Sequence, residues 1–249
     1  MSLVSLSELI DSVMGTVSSS MLCDDMGRPI VSSGKDSGQM YANTVSYNAM
    51  SVPFYEMLRL DSSENWHLKI MRDALGADGA GYRWRDLTWA RHVEVAPPSE
   101  IIIDKAGLKN YFTLDIAAGA PVLSARAAQF IHPLAGGEIN LIPARVKDES
   151  AEYFVMSILS RVKCVNETKT QYVEKWTKDS YRPDRAGEYK MLWGIVIDPK
   201  PAMEHNLFRL WGSSQHVIVS HAIKKMFEQE GLTGARFCDV CTPKPDRDD

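Results

Sequence analysis

The sequence lacks a strong charge of one sign, since its 28 Lys and Arg residues nearly balance its 32 Asp and Glu residues and leave a formal net charge of −4. A non-specific nucleic-acid binder needs a basic face for the phosphates, so we expect no nucleic-acid partner. No apolar run approaches the roughly 20 residues that a membrane-spanning helix requires. The first residues carry no basic segment followed by an apolar one, so we expect no secretory signal, no membrane association and a cytoplasmic location.

Cysteine is scarce, and Cys23, Cys164, Cys238 and Cys241 are too few and too scattered for a disulfide framework. Cys238 and Cys241 form a Cys-x-x-Cys pair that could chelate Zn²⁺, although a closed tetrahedral site needs two more ligands. The sequence contains no second pair of this kind. We therefore expect no metal and no cofactor, and a zinc site at these two cysteines is the weaker alternative.

Motifs of the common hydrolases are missing as well. There is no Gly-x-Ser-x-Gly and no His-Glu-x-x-His, and no Lys-Ser/Thr pair follows Gly76, Gly79 and Gly81 as in a phosphate-binding loop. A nucleophilic serine could still be assembled by the fold, because catalytic triads are defined by geometry. A hydrolytic or zinc-dependent enzyme thus stays open as an alternative, while the expectation is a protein that is not an enzyme.

The chain contains one pattern of apolar and polar residues twice. Residues 120–146 and 208–240 superpose without a gap when Ser124 falls on Ser220, an offset of 220 − 124 = 96. Each copy reads as an apolar strand, a serine, an amphipathic helix, a glycine-containing turn and a second apolar strand. The serine is suited to cap the helix, since its hydroxyl can accept a hydrogen bond from a free N–H of the first turn.

The remaining sequence predicts an α+β fold with a mostly antiparallel β body, packed helices and the two strand–helix–strand units. Short runs rich in β-branched and aromatic residues predict strands over residues 101–104, 110–114, 139–146, 153–159, 189–198 and 207–211.

Before the break at Pro97 and Pro98, helical spacing predicts helices over residues 5–14 and 61–76. We therefore divide the chain into a helical and loop-containing part, an α+β domain and a polar tail, covering residues 1–98, 99–242 and 243–249.

Aromatic and arginine residues concentrate between positions 176 and 211. Trp193 and Trp211 stand in apolar strand runs and are expected in the core. Trp176 and Tyr181 stand in a long polar stretch, where burial is harder to justify. Trp, Tyr and Arg dominate the energetics of protein interfaces, and long loops often carry function. The predicted partner-binding residues are Trp176, Tyr181, Arg182 and Arg185.

Four motifs follow one another in the second half of the chain: Leu-Ser-x₅-Asn-Glu with an internal Cys at 159–167, Phe-Arg-x-x-Gly at 208–212, Ile-Val-Ser at 218–220 and Gly-Leu-Thr-Gly at 231–234. In this order they resemble a bacterial immunity-protein domain family of polymorphic toxin systems, common in myxobacteria and first catalogued as a domain of unknown function. The likeness covers roughly residues 115–240.

The resemblance implies a protein that binds and neutralises a cognate toxin in a stoichiometric complex, with no catalytic residues and a monomeric or homodimeric state. Besides the enzyme, a second alternative is a structural module in which the two repeated units form a homodimer and no toxin takes part.

Overall fold

The computed structural model describes residues 53–70, 73–75, 81–83, 87, 99–114 and 119–243. All of these residues lie in the second of the chain's two units, Ser51–Asp249. The helix predicted over residues 5–14 lies outside the described residues. The strands and helices with described bounds are, in chain order, β1 Phe54–Arg59, β2 His67–Ile70, β3 Asp73–Leu75, β4 Gly81–Arg83, β5 Ser99–Lys105, β6 Phe112–Leu114, β7 Pro121–Ser124, α1 Ala125–Ala135, β8 Ile139–Val146, β9 Glu152–Ile158, β10 Arg161–Val162, β11 Tyr172–Lys175, β12 Tyr189–Trp193, β13 Leu207–Leu210, β14 Val217–Ser220, α2 His221–Gln229 and β15 Ala235–Asp239.

A six-stranded sheet with the order β2-β5-β8-β9-β7-β6 contains the first repeated unit. Strands β7 and β8 each pair antiparallel with β9, which lies between them, so the two strands joined by α1 run parallel without touching. Strand β5 pairs parallel with the far side of β8. The first unit is therefore a β–α–β crossover split by one antiparallel strand.

A five-stranded sheet with the order β10-β13-β14-β1-β15 contains the second unit and is built the same way. Strands β14 and β15 each pair antiparallel with β1, which lies between them, and α2 joins them. Here the splitting strand comes from the beginning of the described chain. The domain boundary predicted at residue 98 stays a prediction. Strand β1 precedes that boundary in the sequence and pairs with β14 and β15.

The two units correspond residue by residue at the offset seen in the sequence. Their first strands begin at Pro121 and Val217, and their second strands begin at Ile139 and Ala235, which are both 96 positions apart. Ser124 and Ser220 each directly precede a helix, as predicted. The prediction of an α+β fold with two similar strand–helix–strand units is confirmed.

The two helices share one apolar core with their strands. Its buried side chains come from matched positions in both units: Leu123, Ala127, Ile131, Val219, Ile223 and Phe227. The Phe112 ring from the first sheet meets the Phe227 ring edge to face, with centroids 6.2 Å apart. Burying one such large apolar side chain contributes about 1.5–3 kcal/mol. The shared core therefore stabilises the packing of both helices against strands of both sheets.

The helix predicted over residues 61–76 is wrong, because that segment contains strands β2 and β3. In β2 the side chains of Leu68 and Ile70 are buried, while those of His67 and Lys69 are partly exposed. Burial thus alternates with a period of two, and pairing with β5 fixes the strand. None of the described helices is long and apolar enough to cross a membrane.

Candidate partner-binding site

The predicted partner-binding residues lie in a two-stranded hairpin formed by β11 and β12. Tyr172 pairs with Trp193 and Glu174 with Met191, and a register shift follows Glu174. Residues 176–188 connect the two strands and include a short helical turn, Pro183–Arg185. The polar stretch that was predicted as a long loop is therefore the tip of a β-hairpin.

One face of the hairpin packs against the protein. Leu192 and Tyr189 are buried in a cluster with Phe54 and Phe208 of the second sheet. Two hydrogen bonds fix Tyr189: its hydroxyl donates to Glu167 Oε1 at 2.8 Å, and its backbone N–H donates to the Gly212 carbonyl at 2.9 Å. The hairpin is thus held against the core by both side-chain and backbone contacts.

The opposite face is apolar and exposed. The Tyr172 and Trp193 rings stack with centroids 5.9 Å apart and an interplanar angle of 18°. They are 39% and 47% exposed, and Met191 beside them is 50% exposed. Large hydrophobic side chains that are exposed together, on a rigid element, are typical of interaction surfaces.

At the tip, Trp176 supports an exposed tyrosine. Trp176 is only 7% exposed, whereas Tyr181 is 82% exposed, and the two rings meet edge to face with centroids 5.0 Å apart. The Arg185 guanidinium and the Lys190 ammonium lie 5.5 Å and 5.7 Å from the centroid of the Trp176 ring. Such contacts each contribute about 0.5–1 kcal/mol at exposed sites, so the tip is a packed structure that presents Tyr181.

Lys190 lies between Glu174 and the Trp176 ring. Its Nζ lies 2.5 Å from Glu174 Oε1 and over the Trp176 ring. The hydrogen bond with Glu174 raises the pKa of Lys190, and Tyr172 and Tyr181 act on it in the same direction. We call the tip and the stack together the hairpin face; it consists of Tyr172, Glu174, Trp176, Tyr181, Lys190, Met191 and Trp193.

The two predicted arginines are engaged in ion pairs at the tip. Arg182 Nε and Nη2 both donate to the Asp184 carboxylate, at 3.0 Å and 2.8 Å. This hydrogen bonding raises the pKa of Arg182 and lowers the pKa of Asp184. Arg185 Nε donates to Glu188 at 2.6 Å. Both arginines thus pair with acidic side chains of the connection between the strands.

Three of the expectations about tryptophans were wrong. Trp193 and Trp211 were expected in the core, but they are 47% and 44% exposed. Trp176 was expected to be hard to bury, but Tyr181, Arg185 and Lys190 cover it. In β12 the sequence Tyr-Lys-Met-Leu-Trp places apolar residues on both faces of the strand. This pattern is compatible with burial of both faces and also with one buried and one exposed apolar face.

The Cys-x-x-Cys pair lies at the end of β15. Cys238 lies opposite Glu56 in the antiparallel pairing of β15 with β1. The Cys241 sulfur accepts a hydrogen bond from the Phe54 N–H at 3.3 Å. Burial raises the pKa of the Cys241 thiol. Within the described part of the chain, no three His, Cys, Asp or Glu side chains come close enough together to hold a metal ion.

Comparison with known protein families gives a match that contains the whole hairpin. Residues 122–242 match the immunity protein family Imm11. This confirms the resemblance inferred from the motifs between residues 115 and 240. No curated protein matches the chain.

Several motif residues in the Imm11 segment hold the hairpin in place. Glu167 and Gly212, the last residues of their motifs, are the two partners of Tyr189. Arg209 is fully buried and donates to the carbonyls of Ser214 and Gly119. Burial lowers the pKa of Arg209 to about 10, with the neighbouring Arg161 as a second cause. Glu167 and Gly212 thus hold the hairpin, while Arg209 joins Ser214 to Gly119.

Proposed function

We propose that this chain is an immunity protein that binds a cognate protein toxin and neutralises it in a stoichiometric complex. The Imm11 match over residues 122–242 supports a toxin partner. In this proposal the protein acts by covering its partner, needs neither turnover nor a cofactor, and works in the cytoplasm of the producing cell. The predicted α+β domain, residues 99–242, supplies the binding surface.

We place the binding surface on the hairpin because exposed apolar side chains are concentrated there. Among the described residues, eight large hydrophobic side chains are exposed, and four of them lie between positions 172 and 193. An interface of standard size covers about 800 Å² on each partner and draws its affinity from a few aromatic and arginine anchors. We propose Tyr181 as the central anchor, presented by Trp176 and flanked by Arg182 and Arg185.

The test uses the polypeptide encoded by the open reading frame beside the gene for this chain. That polypeptide is expressed alone and together with the full chain, and both cell survival and co-purification are scored. We expect it to kill cells alone and to be tolerated and retained in a 1:1 complex with this chain. A neighbour that is harmless, or that does not bind, would contradict the immunity function.

A matched pair of variants tests the location of the surface. Tyr181→Ala removes an exposed ring on the hairpin, and Leu108→Ala removes an exposed side chain outside the Imm11 segment; the two residues are 82% and 61% exposed. We expect Tyr181→Ala to weaken the complex by about 2 kcal/mol, roughly 30-fold in Kd, as for a binding hot spot. Leu108→Ala should leave the affinity unchanged. Equal effects of both variants would place the interface elsewhere.

A further inference from the structure

The charged side chains on and around the hairpin face neutralise one another. Of the five cations between positions 172 and 193, four have an acidic partner within 3 Å: Lys190 with Glu174 at 2.5 Å, Lys175 with Glu167 at 2.6 Å, Arg182 with Asp184 at 2.8 Å and Arg185 with Glu188 at 2.6 Å. The fifth, Lys178, is exposed and is followed in the sequence by Asp179. Opposite charges this close present almost no net field at distances beyond the Debye length of about 8 Å. The surface therefore has little charge to offer a strongly acidic or strongly basic partner.

The apolar side chains of the same surface are only partly covered by the protein itself. Trp193 and Tyr172 stack on each other but leave much of both rings in water, and Met191 is half exposed. The other face of β12 is already buried through Leu192, so the exposed side is not needed for the core. Removing these side chains from water on binding would therefore favour the complex.

We infer that the part of the toxin that contacts the hairpin face is a neutral, apolar protein surface, and that recognition depends on apolar contact with Tyr172, Met191 and Trp193. The inference rests on the proposed function and adds the chemistry of the partner. Electrostatic complementarity mainly raises association rates and makes them sensitive to salt. An interface whose charges are already paired within one partner should show neither property.

The measurement is the Kd of the full chain for the product of the adjacent open reading frame, at about 50 mM and about 500 mM NaCl. We expect the two values to agree within about threefold, because charge pairs inside one partner are not formed on binding.

Variants of the apolar side chains complete the test. Trp193→Ala and Met191→Ala should each raise Kd at least about tenfold, since truncating a buried interface anchor costs this much or more. Met203→Ala is the control, because Met203 is 64% exposed but lies outside the hairpin. Its Kd should equal that of the unaltered chain. Circular dichroism of each variant shows whether the fold is retained.

A second readout locates the contact without any substitution. In ¹⁵N-labelled full chain, the indole N–H signal of Trp193 should shift on complex formation, because the partner would contact the exposed part of this ring. The indole of Trp66 should not shift, because it is buried in the core of the first sheet, 2% exposed. A Trp193 signal that stays unmoved in a formed complex would overturn the inference.

The outcomes also separate this inference from the function on which it rests. A complex whose Kd rises tenfold or more with salt, and is indifferent to Trp193→Ala, overturns the inference and leaves the immunity function intact. Absence of any complex overturns both. A full chain that dimerises alone, and becomes monomeric with Trp193→Ala, shows that the hairpin face contacts a second copy and also overturns the inference.

Discussion

Ser220 donates its hydroxyl hydrogen to the side-chain oxygen of Asn206 at 2.7 Å and makes no capping hydrogen bond to its own helix. Its counterpart Ser124 does cap, accepting a hydrogen bond from the Ala127 N–H at 3.2 Å. The same residue at matched positions therefore has two roles. Asn206 also donates to the Leu134 carbonyl at the end of α1, so it ties the two units together.

Asn206→Ala should destabilise the protein more than Ser124→Ala does. The Asn206 variant breaks side-chain hydrogen bonds to both units and leaves the Leu134 carbonyl and the Ser220 hydroxyl without partners, which costs about 2–3 kcal/mol. Loss of the Ser124 cap costs about 1 kcal/mol. Urea denaturation of both variants measures the difference. If the Asn206 variant were no less stable than the Ser124 variant, Asn206 would not couple the units.

Gly234→Ala should be far more damaging than Gly231→Ala, although both residues belong to the same turn and have positive φ. A Cβ at Gly234 would lie 1.9 Å from the Phe112 carbonyl oxygen, whereas a Cβ at Gly231 would have no atom within 4 Å. The Gly231 variant carries only the conformational cost of about 1–2 kcal/mol. The Gly234 variant must also move the backbone of β6. Thermal unfolding should show a Tm well below that of the Gly231 variant, and equal Tm values would contradict the close contact.

Trp176→Ala should loosen the hairpin tip and leave the rest of the protein intact. Without the ring, Tyr181, Arg185 and Lys190 lose the surface on which they pack. We expect faster hydrogen exchange at the Gly187 amide, which donates to the Trp176 carbonyl at 2.9 Å, and a decrease of about 2 kcal/mol or less in the free energy of unfolding. Trp66→Ala in the core should instead cost about 3–5 kcal/mol. Uniformly faster exchange throughout the Trp176 variant would contradict a local role.

Stability should fall in alkaline solution through Cys164. Burial raises the pKa of this thiol from 9.0 to about 12 in the folded protein. Below pH 9 the thiol is neutral in both states; above it, the unfolded state ionises first, so the free energy of unfolding falls by up to about 1.4 kcal/mol per pH unit until the folded pKa is reached. Cys164→Ala should show a shallower decline between about pH 9 and pH 10.5. Identical slopes would show that the Cys164 thiol ionises alike in both states.

The repeated units could be predicted from the sequence because their signals are local. Each helix has its own apolar spacing and a preceding serine, and the strand over residues 139–146 has the predicted bounds. The roles of Ser124 and Ser220 could not be separated, since only the fold brings Asn206 to one of them. In the same way, pairing with β5 decided between helix and strand for β2, where four residues carry too little periodicity.

The partner-binding residues predicted from the sequence stay a prediction, and the structure adds neighbours that the sequence did not indicate. Aromatic and arginine residues between 176 and 185 indicated a surface, and the structure adds the exposed Tyr172, Met191 and Trp193 on the strands of the same hairpin. This face exists because β11 and β12 pair with each other across a long connection. Strand pairing over such a distance cannot be read from the composition of either strand alone.

Strand β1 has a consequence for how the protein is made. It is translated before every other strand of its sheet, yet its two neighbours, β14 and β15, come from the end of the chain. A polypeptide limited to residues 122–242, the segment that matches the family, would leave a slot between these two strands, and β15 would have no neighbour in the sheet. An open slot of this shape accepts an extended segment from another molecule, which leads to strand exchange or aggregation. The second sheet should therefore close only after synthesis has reached β15, and it should require β1.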